Sequence, residues 1–187
     1  LLLFHPSKLP GIIKSDFKSE IRIPQSKIIM IQIDFIERKG HVLTKSTLKC
    51  LSQVASINPV MGCIHQCAYC YARGYSMYPG DGKVLVYGNM PEKLRKELSV
   101  RRKLPAYVFF SPTCDVLQPI PQVLKVTYDL MHILFEHGVG VNLLTKGRIP
   151  AKFLPLLKQH KELAHIKIGV TTLDRDIQKK IEPYAAT

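Results

Sequence analysis

No apolar run in this 187-residue chain reaches the length of a membrane-crossing helix, about 18 to 20 residues. The opening Leu1-Leu2-Leu3-Phe4 is also too short for the apolar core of a secretory signal. A soluble protein with no membrane partner is expected. Acidic residues are scarce: 14 Asp plus Glu face 27 Lys plus Arg, giving a formal net charge of +13 and a pI near 9.6. Such a surface rewards a polyanion partner, because neutralising phosphates releases counterions; it equally suits a solvated shell around a buried pocket. Evenly paired cysteines are missing too. There are five, three of them crowded between 63 and 70, which argues against a disulfide framework and for a reducing, cytoplasmic compartment. Internal repeats and low-complexity tracts are absent. What remains, at 46% apolar content, is the composition of one domain with a real core. Because the chain starts at Leu1 and stops just after a helix-like segment, it reads as a fragment.

Residues 1–50 mix Pro, Lys and short apolar runs, with a strand expected over 28–33, and form an N-terminal extension flanking a core of 51–187. Within the core, the apolar runs 106–111, 139–145 and 165–172 alternate with segments of helical period. That alternation predicts βαβ units and a parallel sheet. Asn89-Met90-Pro91-Glu92 has the form of a capping box leading into a helix over 93–102. The segment 122–137 places Leu124, Leu130, Ile133 and Leu134 on one stripe and ends at Gly138, a C′ glycine. Asp174 is positioned to cap a short last helix that Pro183 ends.

The chemistry concentrates in Asn58-Pro59-Val60-Met61-Gly62-Cys63-Ile64-His65-Gln66-Cys67-Ala68-Tyr69-Cys70-Tyr71-Ala72-Arg73. Cys63, Cys67 and Cys70 stand at C-x3-C-x2-C spacing. Three thiolates on a four-iron cluster leave one iron open, and an open iron can bind a small molecule directly. Tyr69 adds a flat aromatic face on which an adenine could lie. The same stretch could close a Cys3His zinc site with His65 or the distant Cys50 as fourth ligand, although zinc modules more often present two separated pairs and no second C-x2-C exists here. In a parallel barrel the working residues sit at the C-terminal ends of strands. Those ends carry the cysteine loop, then Cys114 and Asp115, then Lys146, then Thr171. Each has a bland alternative: a turn cap, a solvated cation, a satisfied strand end.

Taken together these residues resemble the radical S-adenosylmethionine (SAM) superfamily, and within it the spore photoproduct lyase group, including its DNA repair photolyase-like members. Cys114-Asp115 with Gln118-Pro119, then Thr145-Lys146, Thr171-Thr172-Leu173-Asp174 and Glu182-Pro183 follow in the group's order. The resemblance implies a partial parallel (β/α) barrel, truncated at its C-terminus. It implies an enzyme in which Cys63, Cys67 and Cys70 hold a [4Fe-4S] cluster whose open iron chelates SAM, generating a 5′-deoxyadenosyl radical. Tyr69 would lie beside the adenine, with SAM contacts from Cys114 and Lys146 and further cofactor-binding groups at Asp115 and Thr171. Tyr71 and Cys114 are the candidate catalytic residues, near the radical path. A flavodoxin- or ferredoxin-like reductant and a DNA or RNA substrate are the implied partners. The sequence departs from the pattern in three places. The superfamily's common Gly-Gly-Glu after the second strand is missing, Pro112 stands where the lyases carry a hydrogen-donor cysteine, and two further βα units are lacking. The rival functions are a radical SAM enzyme acting on a peptide or small molecule, and a non-catalytic zinc- or nucleic-acid-binding module.

Overall fold

The computed structural model describes residues 31–45 and 54–186. Its strands are β1 (Gln32–Ile36), β2 (Thr44–Lys45), β3 (Ala55–Ile57), β4 (Val60–Met61), β5 (Lys83–Tyr87), β6 (Tyr107–Phe110), β7 (Gly140–Thr145) and β8 (Ala164–Ile168). The helices are α1 (Met90–Ser99), α2 (Pro121–Glu136), α3 (Leu154–Gln159) and α4 (Arg175–Ile181).

The three predicted apolar runs become β6, β7 and β8. They lie side by side with β3 in one sheet of order β2-β3-β6-β7-β8, and β3, β6, β7 and β8 are mutually parallel. Sequential parallel neighbours joined by helices form the wall of a (β/α) barrel. Among the described residues the sheet stays open, with the far edge of β8 unpaired. Val141, Leu143 and Thr145 of β7 are buried on one face, while on the other Gly140 is buried, Asn142 half-buried and Leu144 exposed. Helix α2 packs against β7 and α1, and Leu94, Leu98, Leu130, Leu134, Val108, Phe110 and Leu143 share one apolar core. Burying each such side chain stabilises the fold by roughly 1.5–3 kcal/mol.

The ends of α2 follow the expected logic. Pro121 occupies the first turn, where its missing N–H costs nothing. Gly138 takes φ +69°, with its N–H on the Phe135 carbonyl at 2.9 Å. Asp174 caps α4, accepting from the amides of Asp176 and Ile177 at 2.9 and 3.1 Å.

Three expectations are corrected. Asn89 makes no cap to α1; its amide group instead binds the Arg38 backbone, accepting from N at 2.9 Å and donating to O at 3.3 Å. A partner 51 residues away thus outcompetes the local capping box. The helix itself ends at Ser99, so Arg101, Arg102 and Lys103 follow it and do not complete it. Strand β8 stops at Ile168, short of the end of the apolar run at 172, and Thr171 lies in the loop after it, where its strand-end reading put it.

Of the strand expected over 28–33, residues 28–30 lie outside the described residues, and β1 runs on to Ile36. Residues 31–45, the described part of the segment before 50, are stitched to the rest. Strand β1 pairs in parallel with β5 in a second sheet, β1-β5-β4, β2 pairs antiparallel with β3, and Val42 and Leu43 are buried. No described helix is long and apolar enough to cross a membrane.

Candidate active site at the strand ends

The cysteine loop leaves β4 through Gly62, whose φ is +85° and whose absent Cβ would sit 2.2 Å from the Lys83 carbonyl oxygen. Only glycine fits there. The loop then turns through Gln66 at φ +50°, closes with Cys70 N donating to Cys67 O at 3.1 Å, and enters a short 3-10 turn, Tyr71–Gly74. Cys63, Cys67 and Cys70 are all half-buried and line one small cavity with Thr113 and Tyr78. Burial pushes the Cys63 thiol up to about 12 and raises Cys67 as well. Thiols so placed ionise only against a strong local cation, which iron held by Cys63, Cys67 and Cys70 would supply.

A zinc site fits less well. Both ring nitrogens of His65 are committed, Nδ1 to the Tyr184 carbonyl at 2.9 Å and Nε2 to Asp115 Oδ2 at 3.2 Å. Among the described residues, no three His, Cys, Asp or Glu side chains converge to hold a single metal ion. Cys50 lies outside the described residues. Three cysteines spread around one cavity suit a cluster with an unligated iron.

Asp115, at the end of β6, is the hub of the strand ends. It accepts from His65, from Thr145 Oγ1 at 2.9 Å, and from the amides of Lys146, Gly147 and Leu117 at 2.7, 3.2 and 2.8 Å. Burial pushes its carboxyl up, but the bond and charge from His65 and the backbone amides outweigh that and hold it below its usual range. With protein donors on both oxygens, Asp115, expected from sequence to contact the cofactor, fixes the loops around the site.

Beside this hub lies a second constellation. Lys146 Nζ is 2.6 Å from Glu182 Oε1 and 2.8 Å from Thr171 Oγ1, and stands 5.7 Å from the centroid of the Tyr69 ring. The Tyr69 hydroxyl donates to Glu182 and stands 3.0 Å from Thr171 Oγ1. Three of the residues singled out from sequence, Tyr69, Lys146 and Thr171, therefore meet around a fourth that was not. On the other flank, the Cys114 thiol donates to the Val60 carbonyl and touches Ser111 Oγ, both at 3.0 Å. Burial drives it up to about 12. The Tyr71 hydroxyl donates to the Pro112 carbonyl, which sets this exposed ring over the loop that carries Cys114.

Sequence reasoning gave no site role to Glu182 or Gln118, which it named only as parts of family-like blocks, and it weighed His65 only as a zinc ligand. The Gln118 side chain is fully buried, donating to Gly62 O and Asp115 O and accepting from Ile64 N. A carboxylate beside a proline, in a chain poor in acid, was the available signal for Glu182. Its partners lie up to 113 residues away.

The family profile described as the Radical SAM superfamily matches residues 57–187. The chain belongs to the radical SAM superfamily. Members use a [4Fe-4S] cluster and SAM, and the residues described above have the chemistry for both. This radical SAM protein is 25% identical over 135 residues to an uncharacterized protein of Methanocaldococcus jannaschii, covering 69% of this chain and 49% of that one. It is 29% identical over 161 residues to a protein named radical SAM Nα-GlyT isomerase from Pseudomonas phage M6, covering 85% of this chain and 33% of that one. Among solved structures, its fold is similar to a spore photoproduct lyase variant with bound AdoMet and dinucleoside spore photoproduct. The TM-score is 0.62 at 14% identity, over 83% of this chain and 44% of that chain. A second spore photoproduct lyase complex gives a TM-score of 0.59 at 16% identity, with the same coverage. The chain spans about half the length, or less, of these relatives.

Proposed function

We propose that this chain carries the radical-generating core of an enzyme that acts on nucleic acid, with Cys63, Cys67 and Cys70 holding the cluster. The observation that carries this reading is the set of three thiols around one cavity while His65, the candidate zinc ligand in the same loop, is engaged with Tyr184 and Asp115. When bound, the cluster and SAM supply a 5′-deoxyadenosyl radical that removes hydrogen from the substrate.

The protein's own task is to orient and enclose. The Tyr69 ring offers the adenine face. Lys146 offers an ammonium to the SAM carboxylate, which balances charge beside an anionic thiolate cluster. Thr171 adds a hydroxyl at the same edge. Cys114 is best read as a polar neighbour of the cofactor, since its thiol is enclosed and already donates to Val60; a hydrogen-donor role would require that bond to break. Tyr71 lies over the same loop, beside the radical path. A one-electron reductant of flavodoxin or ferredoxin type would deliver the electron, in the reducing environment of the cytoplasm.

Nucleic acid as substrate rests on the net charge of +13 and on a fold similar to lyases solved with a dinucleoside. The test is anaerobic reconstitution with iron and sulfide, then reduction with SAM present and a panel of DNA and RNA oligonucleotides. Brown protein, methionine and 5′-deoxyadenosine, with an altered oligonucleotide by mass spectrometry, are expected. Zinc without sulfide would overturn the cluster. SAM cleavage with every oligonucleotide unchanged and unbound would leave a peptide or small molecule as the substrate.

A further inference from the structure

Glu182 is almost completely buried, with 3% of its side chain exposed. Its Oε1 accepts from Lys146 Nζ, from the Thr171 hydroxyl and from the Tyr69 hydroxyl. The three donors come from three separate places: the end of β7, the loop after β8 and the cysteine loop. The backbone around Glu182 repeats the same connections. Ala68 N donates to Ile181 O at 2.8 Å, the His65 ring meets Tyr184 O at 2.9 Å, and Ala186 N donates to Lys146 O at 2.8 Å.

Charge explains why an acid belongs here. SAM brings two positive groups, an ammonium and a sulfonium, with one carboxylate. A pocket offering Lys146 alone would attract the carboxylate and repel the rest. A buried carboxylate that already balances Lys146 removes that repulsion and prevents the flexible lysine stem from wandering into the pocket. It also keeps the Tyr69 ring turned toward Lys146, where the 5.7 Å approach of the ammonium is favourable.

We propose that Glu182 is the positioning residue of the SAM pocket, preorganising Lys146, Tyr69 and Thr171 as one unit and coupling that unit to the cysteine loop. This rests on the cofactor site proposed above.

The experiment measures SAM affinity by equilibrium dialysis on the anaerobically reconstituted full chain. It compares wild type, Glu182→Gln, Glu182→Asp, Lys146→Met and the Glu182→Gln/Lys146→Met double variant, with iron content and the electron paramagnetic resonance spectrum of the reduced cluster recorded for each. Glu182→Gln should keep its iron and its SAM-free spectrum but bind SAM at least about tenfold more weakly, because a buried charge loses its partner. At a SAM concentration that saturates wild type, the SAM-induced spectral change should be diminished. Glu182→Asp should recover part of the affinity. In the Lys146→Met background the same Glu182→Gln change should matter less than about threefold, since the two residues act together.

SAM binding by Glu182→Gln within about threefold of wild type would overturn the proposal, as would an equal loss in both backgrounds. Loss of iron in both Glu182→Gln and Glu182→Asp would overturn it too, by showing a purely structural lock on the cysteine loop. A wild-type protein that takes up iron and sulfide but binds no SAM would overturn the underlying cofactor reading, which the wild-type arm reports separately.

Discussion

His65 Nε2 and Asp115 Oδ2 lie 3.2 Å apart with 2% and 8% of their side chains exposed, an enclosed pair that fastens the cysteine loop to the end of β6. Burial pushes His65 down, yet the bond and charge of Asp115 and the Tyr184 carbonyl raise it above its ordinary value. Asp115 also gathers Thr145, Lys146 and Gly147 from the end of β7. One carboxylate thus sets the position of the thiols relative to the lysine.

Replacing Asp115 with Ala should destabilise the protein by about 3–5 kcal/mol, because the buried His65 ring and several amides lose their acceptor together. Asp115→Asn keeps some acceptors and should cost less. The Asp115 carboxyl is held below its unfolded value, so its contribution is complete above the unfolded pKa, about 4, and is lost as pH falls through the lower folded pKa. Acid titrations followed by circular dichroism should show this loss in wild type and not in Asp115→Asn. Identical acid profiles would remove Asp115 as the source.

Cys63→Ala, Cys67→Ala and Cys70→Ala should each abolish the [4Fe-4S] cluster, whereas Cys50→Ala should leave about four irons per chain, the content of that cluster type. Iron and acid-labile sulfide assays decide it. Full retention of the cluster in any of the three would defeat its ligand assignment.

Gly62→Ala should cost at least about 2 kcal/mol and lower cluster uptake with it, since a positive φ and a carbonyl oxygen both oppose a Cβ. Denaturant titration and iron content should fall together. A variant of wild-type stability would show that the entry to the cysteine loop can relax.

Cys114→Ser tests the enclosed thiol. If its work is to bond Ser111 and Val60, a hydroxyl serves nearly as well, and SAM cleavage and substrate turnover both persist. Continued SAM cleavage with failed product formation would make Cys114 the hydrogen donor.

Arg101, Arg102 and Lys103 form an exposed basic cluster just past α1, with Arg101 paired to Glu97 at 2.9 Å. If they track phosphates, their joint replacement by Ala should weaken DNA binding. The slope of log affinity against log salt should flatten by about 0.9 for every duplex phosphate that is no longer neutralised. An unchanged slope would assign them to favourable interaction with the helix C-terminus, worth some tenths of a kcal/mol.

The sequence determined what is local or periodic. The apolar-rich runs mark β6, β7 and β8, because strands in a parallel sheet packed under helices favour short apolar and β-branched stretches. Gly138 and Asp174 fix helix ends, since left-handed φ and free amides each demand a particular residue. The thiol spacing between Cys63 and Cys70 reads directly as a three-ligand set, because its geometry lies within eight residues of chain. The tertiary structure decided everything that depends on a distant competitor. Asn89 has the right form for a cap, but the Arg38 backbone claims its side chain. His65 looks like a metal ligand until Asp115 and Tyr184 take both nitrogens. Asp115 reads from sequence only as a polar loop residue near the cofactor, and the fold alone gathers five protein donors on it. Glu182 stood out only as an acid beside Pro183, and its role came from the fold, because a buried carboxylate is defined by the cations and hydroxyls brought to it.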